Sequence, residues 1–234
     1  MYSFAPLAAA IGLLYAAVIT LTTFLTPLLG SASATAAIVV LTMAIRTVLV
    51  PLGLAQVRGE LARAALAPKL RELQQKYRNN PERLRRELAA LYQREGTSPL
   101  AGCLPALAQA PVFMVLYGLF LTAEVGGQAN ALLTSTLAGV PLGARLLDVA
   151  GADLLVFAAL ATALIGVAAL TRRLNPAPPA DMPGAGVIRL LPFGTVLVAA
   201  IVPLAAGIYL LTTTAWTLTE RTILRRVLRA HTSP

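Results

Sequence analysis

Charge is scarce in this sequence. Asp, Glu, Lys and Arg make up 12% of 234 residues, against roughly 25% in a soluble domain. Hydrophobic residues reach 57% and mean hydropathy is +0.75, more apolar surface than a soluble fold of this size could hide. The single cysteine, Cys103, excludes an internal disulfide, and the single histidine, His231, excludes a histidine-cluster metal site. No phosphate-binding loop or metal-ligand cluster is visible, so neither nucleotide nor metal is expected as a cofactor. An intramembrane hydrolase needs a Ser/His or paired-Asp constellation inside its apolar runs, and none is present. The N-terminus has no basic residue before Arg46, so it lacks the charged start of a cleaved signal peptide.

What remains is an all-α polytopic membrane protein, and the few charges order it. Ten Lys/Arg lie in 56–98, three flank a Pro-rich loop (Arg172, Arg173, Arg189), and four close the chain (Arg221, Arg225, Arg226, Arg229). Lys/Arg excess marks cytoplasmic segments, which places 56–98, the 171–186 loop and the 222–234 tail inside and the 124–153 loop outside. Five spans satisfy this order: 36–55, 104–122, 154–170, 187–202 and 204–221. Residues 190–219 carry no charge, and Pro203 supplies the break that divides them into two short crossings. Residues 1–30 form an apolar helix that suits either an outer interfacial position or an extra span. Segment 131–147 is apolar enough to lie at the outer interface and cap the bundle.

The charged block 56–98 reads as an antiparallel helical hairpin. Leu66, Leu70, Leu73 and Tyr77, then Leu84, Leu88 and Leu91, recur at spacings of three and four, as the apolar seams of two zipped helices do. Asn80 suits an N-cap and Pro81 the first helical position, while Gly96 and Ser98-Pro99 stop the second helix. Lys76, Arg78, Arg83, Arg85 and Arg86 cluster around the tip, a surface for ribosomal RNA, proteins or anionic headgroups.

Arg46 is the outlier. It lies mid-span, about 15 Å of helix from either end, where a cation costs a few kcal/mol, and the apolar bodies of the spans offer no carboxylate to pair with it. Thr42 lies one turn away on the same face. Gln109 and Tyr117 share a face of the second span, and Tyr209, Thr212, Thr213 and Trp216 form a stripe on the last. Singly these are ordinary interhelical or interfacial groups; together around one arginine they suggest a water-containing groove. A small transporter or channel for an anionic solute would also use such an arginine, but it predicts an internal repeat, and the sequence has none.

The runs LTMAIRTVLVPL, LAPKLRELQQKYRNNPERLRRELAALYQREGTSPLAGCLPALAQAPVFMVLYGLF and PLAAGIYLLTTTAWTL resemble the YidC/Oxa/Albino membrane insertases, in the short form without a large extracytoplasmic domain. The resemblance covers about 36–225. It implies a five-helix transmembrane core in the plasma (inner) membrane, preceded by an outer interfacial helix. It further implies a hydrophilic groove open to cytoplasm and lipid, with Arg46 matching the family's groove arginine and Thr162 standing where relatives carry a polar groove residue. The implied activity is insertion of nascent membrane-protein segments into the bilayer without covalent chemistry. The implied partners are those clients and membrane lipids, with the ribosome and a Sec-type translocon as further candidates and no DNA.

Overall fold

In the computed structural model, residues 5–96, 104–175 and 185–230 are described. Ten helices follow in order among them: α1 (Ala5–Leu29), α2 (Ser33–Val48), α3 (Val50–Lys76), α4 (Pro81–Arg94), α5 (Leu104–Leu121), α6 (Ala131–Thr134), α7 (Leu154–Leu174), α8 (Ala185–Leu190), α9 (Gly194–Ile201) and α10 (Leu204–Ala230). The chain divides into two compact units, one of Met1–Val48 with Val112–Thr219 and one of Leu49–Pro111 with Glu220–Pro234. Cys103, Ser98-Pro99, His231 and most of the 171–186 loop lie outside the described residues.

In the first unit small residues are buried together with large ones such as Leu119, Phe120 and Leu164, and many further large apolar side chains remain outside. Ala37, Ala205 and Ala206 are fully buried, while Leu155, Leu197 and Ile201 are exposed. Gly207 marks a close approach: a Cβ there would lie 2.6 Å from Cδ2 of Leu160, so the glycine lets α10 approach α7 without displacing that side chain. The large apolar side chains left outside suit a lipid solvent, in which they gain nothing by hiding from their surroundings. Two helical stretches among the described residues, Pro6–Val48 and Gly151–Leu174, are long and apolar enough to cross a membrane, and Ala110–Leu121 and Leu191–Ile201 are shorter apolar helices.

Helix limits follow from proline and glycine. A 3-10 turn, Gly30–Ala32, joins α1 to α2, with Gly30 at φ +53°. Helix α2 ends at Val48, short of the expected 55, because Pro51 has no N–H to continue the ladder; the carbonyl of Leu49 instead accepts from Leu52 and Gly53 at 2.9 and 3.1 Å. The stretch expected as one span over 187–202 is interrupted by a 3-10 turn at Leu191–Phe193, centred on Pro192.

Segment 124–153, expected as a loop, contains two small antiparallel hairpins, β1 (Glu124–Val125) with β2 (Gln128–Ala129) and β3 (Thr136–Leu137) with β4 (Val140–Pro141). Their two-residue turns, Gly126-Gly127 and Ala138-Gly139, all have positive φ, as the twist-matched hairpin turn requires. Leu132, Val140 and Leu142 are fully buried. The carbonyls of Leu142 and Ala144 accept from the N–H groups of Ala205 and Leu204 at 2.8 and 2.9 Å, satisfying donors that a helix start otherwise leaves unpaired. Asn130, itself buried, donates to the carbonyls of Leu119 and Thr122, both at 2.9 Å, and accepts from Leu132 N–H.

In the second unit α3 and α4 are joined through Tyr77–Asn80, and Asn80 Oδ1 accepts from the N–H of Arg83 at 3.0 Å as an N-cap. Lys69 of α3 pairs with Glu95 just after α4. Leu66 is buried and Leu70, Leu73, Leu84, Leu88 and Leu91 are half-buried, whereas Lys76, Arg78, Arg83, Arg85 and Arg86 are exposed. Helix α10 does not stop at the expected 221 but runs on to Ala230. Glu60 of α3 explains part of that length, accepting from Arg221 at 3.1 Å and Arg225 at 2.8 Å, one turn apart on α10. Gly53 faces Glu220 so closely that a Cβ there would overlap its carboxylate.

Candidate functional site

The site is built where α2, α5 and α10 of the first unit supply polar groups to an apolar interior. Arg46, on the last turn of α2, is half-buried. Its Nε and Nη2 both donate to Oγ1 of Thr213 on α10, at 3.3 and 3.1 Å. Tyr209, one turn before Thr213 and almost fully buried, lies beside the same threonine. Arginine, threonine and tyrosine thus form one polar cluster in an apolar surrounding, where each hydrogen bond is stronger than it would be in water.

An aromatic wall stands beside the cluster. Phe113 stacks on Tyr117 at 5.3 Å between ring centroids, and Phe113 and Phe120 both tilt against Tyr209 at 5.9 and 5.7 Å. Phe113, Tyr117 and Phe120 recur at spacings of four and three on α5, so one helical face carries all three. Such rings contribute about 0.5–1.5 kcal/mol per pair beyond burial, which fixes the Tyr209 ring beside the threonine that Arg46 uses.

The expected groove residues therefore divide. Arg46, Thr213, Tyr209 and Tyr117 are brought together. Thr42 is buried on α2, but its hydroxyl donates to the carbonyl of Ile38 at 2.7 Å. Thr212 likewise turns back onto Ile208 at 2.9 Å. Trp216 is half-buried on α10, three residues beyond Thr213. Thr162 is exposed and bonded to the carbonyl of Ala158 at 2.7 Å, so it does not join the cluster. The side chain of Gln109 lies outside the described residues. Sequence reasoning missed Phe113 and Phe120; their spacing with Tyr117 was the available signal. It missed Asn130 as well, and a lone asparagine in a loop gives no signal.

At the hairpin, Tyr77 has Lys76 Nζ at 5.6 Å and Arg83 Cζ at 5.2 Å from its ring centroid. These cation–π contacts hold two of the tip cations against the turn, while Arg78, Arg85 and Arg86 extend into the surroundings. Among the described residues no group of three or more His, Cys, Asp or Glu could hold a metal ion.

A family model described as the 60Kd inner membrane protein matches residues 24–231. The chain belongs to the YidC/Oxa/Albino family. Curated relatives agree. A membrane protein insertase YidC of Clostridium perfringens is 39% identical over 83 residues, 36% of this chain and 35% of that protein. An inner membrane ALBINO3-like protein 2 of Chlamydomonas reinhardtii is 44% identical over 91 residues, 39% of this chain and 22% of that one. A YidC insertase of Streptomyces avermitilis is 36% identical over 119 residues, 47% of this chain and 28% of that protein. The chain thus spans about a third or less of the length of these relatives. YidC/Oxa/Albino proteins are membrane insertases rather than a family of catalysts, and the helical, apolar architecture here is of that kind.

Proposed function

We propose that this chain is a membrane protein insertase of the plasma (inner) membrane, and that Arg46 is the group that receives the translocating part of a client. The observation that carries the reading is the Arg46–Thr213–Tyr209 cluster. A cation is kept at the last turn of an apolar helix, with its guanidinium donating to the hydroxyl of Thr213. A nascent protein must carry a hydrophilic segment past hydrocarbon, where unpaired polar groups cost several kcal/mol each. A wet groove reaching partway to Arg46 shortens that passage, and the arginine attracts acidic residues where screening is weak. The client's apolar helix then leaves sideways into lipid, driven by burial. No bond is broken, so the step needs no cofactor.

In this reading five helical spans cross the bilayer, beginning in α2, α5, α7, the α8–α9 pair and α10. The α3–α4 hairpin and the end of α10 face the cytoplasm, as their Lys/Arg excess suggests. Helix α1 lies along the outer interface. The hydroxyl of Tyr15 accepts from Ala131 N–H, and the Gly30–Ala32 turn packs on β3. Points some 22 Å apart along one helix thus both meet segment 124–153, which favours a helix lying along that segment over an extra span leading away from it. The ribosome and a Sec-type translocon are the partners that the basic hairpin tip would suit.

The test is insertion of matched single-span clients into vesicles bearing the Arg46→Ala chain. Acidic translocated segments should insert about tenfold less efficiently, as a lost interaction of roughly 1.4 kcal/mol would give, while neutral segments change little. Arg46→Lys should keep partial activity, since charge survives without the guanidinium fork. Equal losses for both kinds of client would defeat the electrostatic account.

A further inference from the structure

Away from the Arg46 cluster, the first unit contains a concave feature. Between α7 and the interruption that separates α8 from α9 lies a cleft of about 520 Å³, lined by Ile165, Leu190, Leu191, Phe193, Gly194 and Leu197 among others. Its cause is local. Pro192 cannot donate to the helical ladder, so the chain passes through the 3-10 turn Leu191–Phe193, with Thr195 Oγ1 donating to the Pro192 carbonyl at 2.9 Å. The bend leaves a notch beside α7. Gly194 deepens it: a Cβ at that position would meet nothing within 4 Å.

The helices that line this apolar notch carry three arginines. Arg172 and Arg173 occupy the last turn of α7, and Arg189 of α8 directly precedes the lining residue Leu190. All three are exposed, and among the described residues none makes an ion pair or a hydrogen bond. Ile165 lies seven residues before Arg172, about 10 Å along the helix. A ligand bound here therefore needs an anionic head at the arginines and a slender apolar body reaching down the notch. We propose that this notch binds one anionic glycerophospholipid, its phosphate on Arg172, Arg173 and Arg189 and an acyl chain against Ile165, Phe193 and Leu197. The site rests on the reading of α7 and α9 as membrane-crossing helices, in which the three arginines lie at headgroup level on the cytoplasmic side, where basic pockets between helices favour anionic lipids.

The experiment is native mass spectrometry of the purified full chain released from vesicles of equimolar phosphatidylglycerol and phosphatidylcholine. One phosphatidylglycerol per chain should be retained, with about tenfold preference over phosphatidylcholine. Arg172→Gln, Arg173→Gln and Arg189→Gln together should bring the two lipids to parity. Gly194→Leu, whose Cβ has open space and whose side chain adds bulk to the notch lining, should lower phosphatidylglycerol retention severalfold with all three arginines intact. Equal retention of both lipids by the native chain overturns the proposal. So does a preference that survives the triple substitution, or retention unchanged by Gly194→Leu. Client insertion measured on the same preparations separates the two readings: retained phosphatidylglycerol in a chain that inserts nothing supports the lipid site and counts only against insertase function.

Discussion

The two units of this chain follow different packing rules. The first has a continuous apolar core in which alanines and Gly207 sit among Leu119, Phe120, Leu164 and Tyr209, and still turns Leu155, Leu197 and Ile201 outward, with one hydrogen-bonded arginine at its polar cluster. The second hides few residues: α4 has no buried residue, its cations are exposed, and its ties are ion pairs such as Lys69–Glu95 and Glu60 with two arginines. In lipid, close approach of backbones and internal hydrogen bonds hold helices together. In water, an apolar seam does so, and exposed ion pairs add little. The difference predicts where substitutions hurt. Polar and small residues should be the critical ones in the first unit, and charges the dispensable ones in the second.

The largest effect on stability should come from Asn130. Its side chain satisfies two carbonyls and one N–H at the base of segment 124–153 while almost fully buried. Asn130→Ala leaves those groups unpaired and should cost about 3 kcal/mol, since each buried unsatisfied group costs about 1–3. It should be read as a lowered thermal midpoint in detergent and as faster proteolysis of 124–153. A midpoint unchanged from the native chain would mean that the hairpins hold the segment without it.

Gly207→Leu ranks next. The new side chain must displace Leu160, whose Cδ2 lies 2.6 Å from the first added atom. Overpacking of this kind costs about 1–3 kcal/mol, whereas Gly207→Ala should cost less because the obstructing atom ends a flexible side chain. If both variants unfold as the native chain does, α7 and α10 are not closely packed.

Glu60→Gln should cost about 1 kcal/mol, because a partly exposed pair is discounted by solvent screening. It leaves Arg221 and Arg225 with a neutral partner instead of a carboxylate. The loss should shrink in high salt. A salt-independent effect would point to packing of the glutamate stem instead.

These expectations also show what could be read from sequence. The all-helical class followed from composition, and Arg46 stood out as a lone cation in an apolar run, although it lies on the last turn of α2 rather than at mid-helix. The hairpin turn was legible because Asn80 and Pro81 act locally on the backbone. The rest depended on distant partners. Nothing near Glu60 in sequence announces Arg225, and no local rule gives Leu142 and Ala144 as caps for α10. Thr42 and Thr212 were grouped by helical face and Thr162 by the family resemblance, yet each hydroxyl bonds back to its own helix, the option open to any helical threonine.

The smallest effect on stability is expected from reversing Arg83, Arg85 and Arg86 to Glu. All three are exposed and none belongs to the leucine seam; the Arg83 side chain touches only the Tyr77 ring among the ring contacts observed, and the cap it contributes to uses its backbone N–H. The fold should therefore shift by less than about 0.5 kcal/mol, as surface substitutions do. Reversal moves the local charge by six units, since three cations become three anions. Binding to ribosomes or anionic vesicles through this tip should then fall sharply, and the native chain should lose the same binding as salt rises. Cosedimentation at two salt concentrations, with thermal midpoints measured alongside, separates the outcomes. Undiminished binding with a native midpoint would make the tip a solvated surface, while a large fall in midpoint would break the contrast between the units, because an exposed charge would then carry the hairpin's fold.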